Sequence, residues 1–102
     1  MEIQYKRENS KIYIYFSGEL DEYTAGKTRS QIDEVLNTSV GLKSVVFDFS
    51  QTSFMDSTGI GMLLGRYKKL KKTGISSYIA KPSFMVNKIL QISGIYDVMP
   101  KI

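Results

Sequence analysis

At 102 residues, the chain fits one domain spanning 1–102. Its 42% apolar and 24% charged residues are the balance of a globular protein, not a disordered one. It contains neither cysteine nor histidine, which excludes a disulfide framework, a thiolate nucleophile, a Ser/His/Asp triad, a Cys/His dyad and a zinc site. A net charge of +4 allows an anionic partner. No run is long enough to span a bilayer and no basic-then-apolar leader opens the chain, so a soluble, cytoplasmic protein is expected.

"EIQYKRENSKIYIYFSG" reads as a hairpin. Ile12, Ile14 and Phe16 alternate with Tyr13 and Tyr15, Asn9 and Ser10 suit the turn, and Gly18 marks the end of the second strand. "ELDEYTAGKTRSQIDEVLN" turns helical, with the Thr24 hydroxyl as N-cap and Ile32, Val35 and Leu36 on a buried face. In "LKSVVFDFS" Val45, Phe47 and Phe49 lie on one face and Val46 on the other, the pattern of a central strand. The next helix runs to about Lys72 on a stripe of Ile60, Leu63, Leu64, Tyr67 and Leu70, with lysines in its last turn and Gly74 after it. "ISSYIA" is a short strand. Ser83 caps a further helix that buries Val86, Ile89 and Leu90 and closes at Gly94. "YDVMPKI" reads either as a last short strand or as an ordered tail. The order β-β-α-β-α-β-α, with or without a final β, predicts an α/β fold with about three helices. Its sheet should be mixed, mostly parallel and of four to five strands.

The chemistry must reside in "SFMDSTGIGMLLG". Gly59, Gly61 and Gly65 follow a strand and open a helix, but the third glycine comes one residue too late for G-x-G-x-x-G. No acid follows about 20 residues on, and no Gly-Lys-Ser/Thr ends the run, so neither a dinucleotide site nor a P-loop is expected. Ser57 lacks the preceding glycine of a nucleophile elbow. Asp48 could accept phosphate as in a receiver domain, but the early strands lack the acids that would hold a divalent metal, so it reads as structural. No catalytic residue, metal ligand or cofactor is expected.

Ser57 remains as an acceptor. It should be exposed at a helix N-terminus, whose free N–H groups and partial positive charge tolerate a phosphoryl group. Position alone favours plain capping by Asp56, Ser57 or Thr58, all ordinary capping residues. The glycines discriminate further, since each costs about 1 kcal/mol against alanine inside a helix. On a wheel Thr58, Gly61, Met62 and Gly65 fall opposite the apolar stripe, an uncharged face with an exposed Met that suits another protein's backbone. Gly59 lies nearer the inner side and suits close packing. "GELDEYTA" also joins a strand to a helix. If both strands run parallel, Asp21 lies near Ser57 and could position its hydroxyl or repel an added phosphate.

"FMDSTGIGMLLGRYKKLKK" closely resembles the signature of bacterial anti-sigma factor antagonists, which are single STAS domains. "SGELDEYTA" resembles the family's second signature and "VVFDFSQTSFMDS" its central strand. "LLGRYKKLKK" is most similar to the sporulation branch, which antagonises the anti-sigma-F factor, with the general-stress branch second. The resemblance implies partner switching. The unphosphorylated antagonist binds an anti-sigma factor that is also a serine kinase, and the sigma factor is freed. Phosphorylation of the serine after the motif aspartate, Ser57, ends binding, and a metal-dependent serine phosphatase reverses it. It implies a binding surface of Asp21, Tyr23 and Thr24 with Asp56, Ser57, Thr58, Gly61, Met62 and Gly65. Members usually continue into a further C-terminal helix, whereas this sequence stops at Ile102.

The alternative is a ligand- or nucleotide-sensing STAS module without a sigma-factor role. A nucleic-acid binder using Arg66, Lys68, Lys69, Lys71 and Lys72 is a further rival, but those residues lack the flanking aromatics of a recognition motif. The expectation is therefore a regulatory protein and not an enzyme, monomeric alone, without direct nucleic-acid or membrane contact.

Overall fold

The computed structural model describes residues 1–102. β1 (Glu2–Glu8) and β2 (Lys11–Leu20) pair antiparallel from Glu2↔Ser17 to Glu8↔Lys11. The two-residue turn is tight because Asn9 adopts φ 55°, a left-handed conformation that asparagine tolerates better than branched residues do. α1 (Ala25–Asn37), β3 (Ser44–Met55), α2 (Ser57–Lys72), β4 (Ser76–Ala80) and α3 (Phe84–Ser93) then alternate. The sheet order is β1-β2-β3-β4, with β3 parallel to both neighbours. The α/β class, the element order and the mixed, mostly parallel sheet are those expected.

β3 is the spine. Val45, Val46, Phe47 and Phe49 are fully buried, and Phe16 of β2 stacks on Phe49 with ring centroids 4.8 Å apart. Ile12, Ile14 and Phe16 from β2, Ile32 from α1, Leu63 from α2 and Leu90 from α3 close the same core. Asp48 is buried on the alternate face of β3, and its Oδ1 accepts from Ser50 N at 2.9 Å and Ser50 Oγ at 2.6 Å, a structural use of the carboxylate.

Two boundaries differ from expectation. β2 does not end at Gly18 but runs to Leu20. Gly18 takes φ 111° beside a register shift between Gly18 and Glu19, so it bends the strand instead of stopping it. β3 continues through "QTSFM" to Met55, where no helix has yet begun. Its paired backbone, Gln51 with Ser17 through Met55 with Leu20, holds this polar stretch extended. Thr52 Oγ1 adds a bond to Phe16 O at 2.9 Å.

α3 has the expected caps: Ser83 Oγ accepts from Val86 N at 3.2 Å, and Gly94 is left-handed at φ 78°. It lies against β3, with Met85, Val86 and Ile89 beside Ser53, Phe54 and Met55, beyond the point where β4 stops pairing at Ala80. Val86 and Leu90 are buried there, but Ile89 is 37% exposed, so it does not belong to the inner face. The tail falls between the two expectations. A 3-10 turn at Ile95–Asp97 leads to a single parallel bridge, Ile79↔Lys101, with Met99 fully buried.

Candidate partner-docking site

The parallel pairing of β2 and β3 brings two strand-to-helix loops together. Leu20 pairs with Met55, and Asp56 N donates to Leu20 O at 3.3 Å, so the Asp21 loop and the Ser57 loop leave the same sheet edge side by side. Within the second loop Asp56 is the N-cap of α2. It has extended backbone, and its Oδ1 accepts from Thr58 N at 2.9 Å and Gly59 N at 3.3 Å. Capping therefore belongs to Asp56. Ser57 is the first helical residue and is exposed, its hydroxyl outside that arrangement. Thr58 follows, also exposed.

Thr24 occupies the N-cap position of α1 without capping through its hydroxyl. The hydroxyl instead donates to Glu19 O at 2.8 Å and accepts from Asp21 N at 3.0 Å, which pins the loop to the end of β2. Asp21 supplies the side-chain acceptor, its Oδ1 taking Tyr23 N at 2.9 Å and Thr24 N at 3.1 Å. Those bonds engage the Asp21 carboxylate within its own loop, not at the Ser57 hydroxyl. The Tyr23 side chain projects from the loop, largely in solvent.

Between the first turns of α1 and α2 lies an open groove of about 440 Å³, floored by Ala25 and Met62 and walled by Gly26, Arg29, Thr58 and Gly61. It corrects two features of the expected smooth face. Met62 is not exposed. At 7% exposure it is buried against α1, which a wheel of α2 alone does not reveal. Nor is the surface uncharged, because Glu22 and Arg29 line it from the other side. Sequence reasoning missed Glu22, Gly26 and Arg29, although the i, i+3 spacing of Gly26 and Arg29 places them on one face of α1; Glu22 stands in the loop just before the helix. Gly61 and Gly65 border open space, with nothing beyond their own helical turn within 4 Å of the position a β-carbon would take; Gly61 is exposed and Gly65 half-buried. Gly59 differs. A β-carbon there would lie 3.0 Å from Leu20 Cγ and Met55 Cγ, so it is a packing glycine.

The basic run at the far end of α2 also divides. Arg66 is 5% exposed, so it is not part of a solvent-facing basic patch. Its Nε lies 2.9 Å from Asp33 Oδ1 on α1, an ion pair by distance without hydrogen-bond alignment, and its Nη1 is buried without a partner. Burial pulls the guanidinium pKa below its ordinary value, opposed by the Asp33 charge and reinforced by Arg29. Lys69 donates to the other Asp33 oxygen at 3.3 Å.

The STAS domain model matches residues 2–102, and the chain belongs to the STAS-domain family. It is 30% identical over 100 residues to the anti-sigma F factor antagonist of Paenibacillus polymyxa, covering 98% of this chain and 85% of that one. Among solved structures it resembles the anti-sigma factor antagonist SpoIIAA in its unphosphorylated form, with a TM-score of 0.81, 27% identity, and 99% and 88% of the two chains covered. The phosphorylated form of Bacillus SpoIIAA matches with a TM-score of 0.72, 26% identity, and 99% and 91% coverage. No helix is long and apolar enough to cross a membrane.

Proposed function

We propose that this protein is an anti-anti-sigma factor whose binding is switched by phosphorylation at Ser57. The unphosphorylated form binds an anti-sigma factor that is also a serine kinase and so releases the sigma factor. The observation that carries the reading is the division of labour at α2. Asp56 caps the helix, and Ser57 next to it is exposed, one residue before Thr58, which lines the α1/α2 groove. A kinase can reach the Ser57 hydroxyl without unfolding anything.

The added phosphate brings about −1.5 to −2 charge at neutral pH. The helix terminus offsets part of it, so the fold tolerates the group. Beside the Asp56 carboxylate it makes a concentrated anionic point at the rim of the groove. A partner seated on Gly61, Thr58 and the Asp21 loop would have to desolvate that charge or give way to it. The protein thus works as a cytoplasmic binding module and monomer, not as a catalyst, and a metal-dependent serine phosphatase returns it to the binding form.

Incubation with the cognate anti-sigma kinase and ATP, followed by mapping of the modified residue, tests this. Modification at Ser57 is expected; modification at Thr58 or elsewhere overturns the assignment. Ser57→Ala should bind the kinase and resist phosphorylation, whereas Ser57→Asp should bind weakly.

A further inference from the structure

α3 has two apolar faces, and the fold uses only one. Val86 and Leu90 point into the core, while Met85 and Ile92, two turns apart on the opposite side, are 69% and 79% exposed, and Phe84 is 81% exposed. Asn87, Lys88 and Gln91 form the polar side of α3, and an apolar arc wider than the part facing the core is ordinarily covered by something else. Between this outer stripe and the end of β3 runs a groove of about 210 Å³, lined by Phe54, Met55, Met85, Ile89 and Ile92. Its volume suits one or two large apolar side chains of an inserted segment.

We propose that this groove is a second arm of the docking surface, filled by an amphipathic helix of the anti-sigma factor that sets its apolar side into the groove and an acidic flank against Lys88. The inference rests on the function proposed above. Two observations choose the occupant. First, the groove is continuous with the switch, since Phe54 and Met55 lead directly into Asp56 and Ser57. A partner seated on the α2 terminus needs to extend only past Asp56 to reach the groove at Met55. Second, Lys88 is the charged residue of the groove, its Nζ held 5.8 Å above the Phe84 ring, and α3 contains no acid. A second copy would therefore bring two helices of like charge together, whereas an acidic flank complements this one.

The test measures the Kd of the full chain for the cognate anti-sigma kinase. Met85→Asp and Ile92→Asp should each raise Kd about tenfold or more, with unchanged thermal melting because both side chains are exposed. Lys88→Glu should raise it about threefold, and Tyr5→Asp, exposed on β1, should leave it unchanged. Wild-type Kd in both aspartate variants overturns the proposal, as does tighter binding by Lys88→Glu. A wild-type dimer that Ile92→Asp dissolves, with kinase binding intact, overturns it in favour of a second copy. Failure of the wild type itself to bind the kinase overturns the functional reading, a result distinct from wild-type binding with indifferent groove variants.

Discussion

Asp56 and Ser57 are chain neighbours with separable duties, and substitution should separate them. Asp56→Ala removes the acceptor for Thr58 N and Gly59 N and should cost about 1 kcal/mol in chemical denaturation. Ser57→Ala leaves the cap intact and should stay within about 0.5 kcal/mol of wild type. An equal loss in both variants would mean that Ser57 is a structural residue after all. Near the C-terminus, Tyr96 donates to Asn87 Oδ1 at 2.6 Å, and burial raises its pKa above the ordinary 10.0. The folded state then keeps the Tyr96 proton where the unfolded state loses it. The stability this contributes is complete below about pH 10 and falls as the pH climbs through the folded pKa. Urea titrations of wild type and Tyr96→Phe across that range should diverge, with the variant showing the shallower alkaline decline. At this scale the acidic cap and the exposed serine were legible because Asp-Ser-Thr ahead of an apolar stripe is a local signal. The burial of Met62 was not, because it depends on α1, which a wheel drawn for α2 leaves out.

At the scale of elements, the two glycines nearest the switch should respond to alanine with opposite sign. Gly61 faces open space, so Gly61→Ala should stabilise by about 0.5–1 kcal/mol through helix propensity. Gly59 sits over Leu20 and Met55, which join the ends of β2 and β3. Its alanine would meet atoms at 3.0 Å and should destabilise by about 1–3 kcal/mol. Thermal melts of the two variants decide this, and a stabilised Gly59→Ala would show that Leu20 and Met55 yield more easily than the close approach implies. Helices announced themselves by a 3.6-residue period, and β3 by its apolar first half. The second half of β3 did not. "QTSFM" has no alternating apolar face, and its extended form comes from pairing with a strand more than thirty positions earlier in the chain. Gly18 misled for a related reason, because a glycine within a bulge and a glycine after a strand are identical in local sequence.

For the whole molecule, the groove depends on how α1 and α2 sit against each other, and Asp33 with Arg66 joins the two helices well beyond their N-terminal turns. The pair is asymmetric. Arg66 is buried with one nitrogen unpartnered, while Asp33 is partly exposed and also holds Lys69. Removing each partner should therefore have unequal effects. Asp33→Ala leaves the guanidinium buried without a counter-charge and should cost about 3 kcal/mol. In a domain of this size that corresponds to a fall in Tm of more than about 10 °C. Arg66→Leu removes the poorly solvated charge, fills similar space with apolar atoms, and leaves Asp33 paired with Lys69, so it should cost less than about 1 kcal/mol. Adding Arg66→Leu to Asp33→Ala should then recover most of what the single aspartate variant loses. Urea denaturation of the three variants measures the pattern directly. Equal losses from the two single substitutions would mean that the ion pair itself stabilises the helix interface. The asymmetric result would mean that apolar packing around Met62 and Leu63 holds α1 and α2 together, with Asp33 serving to neutralise a charge the core would otherwise reject.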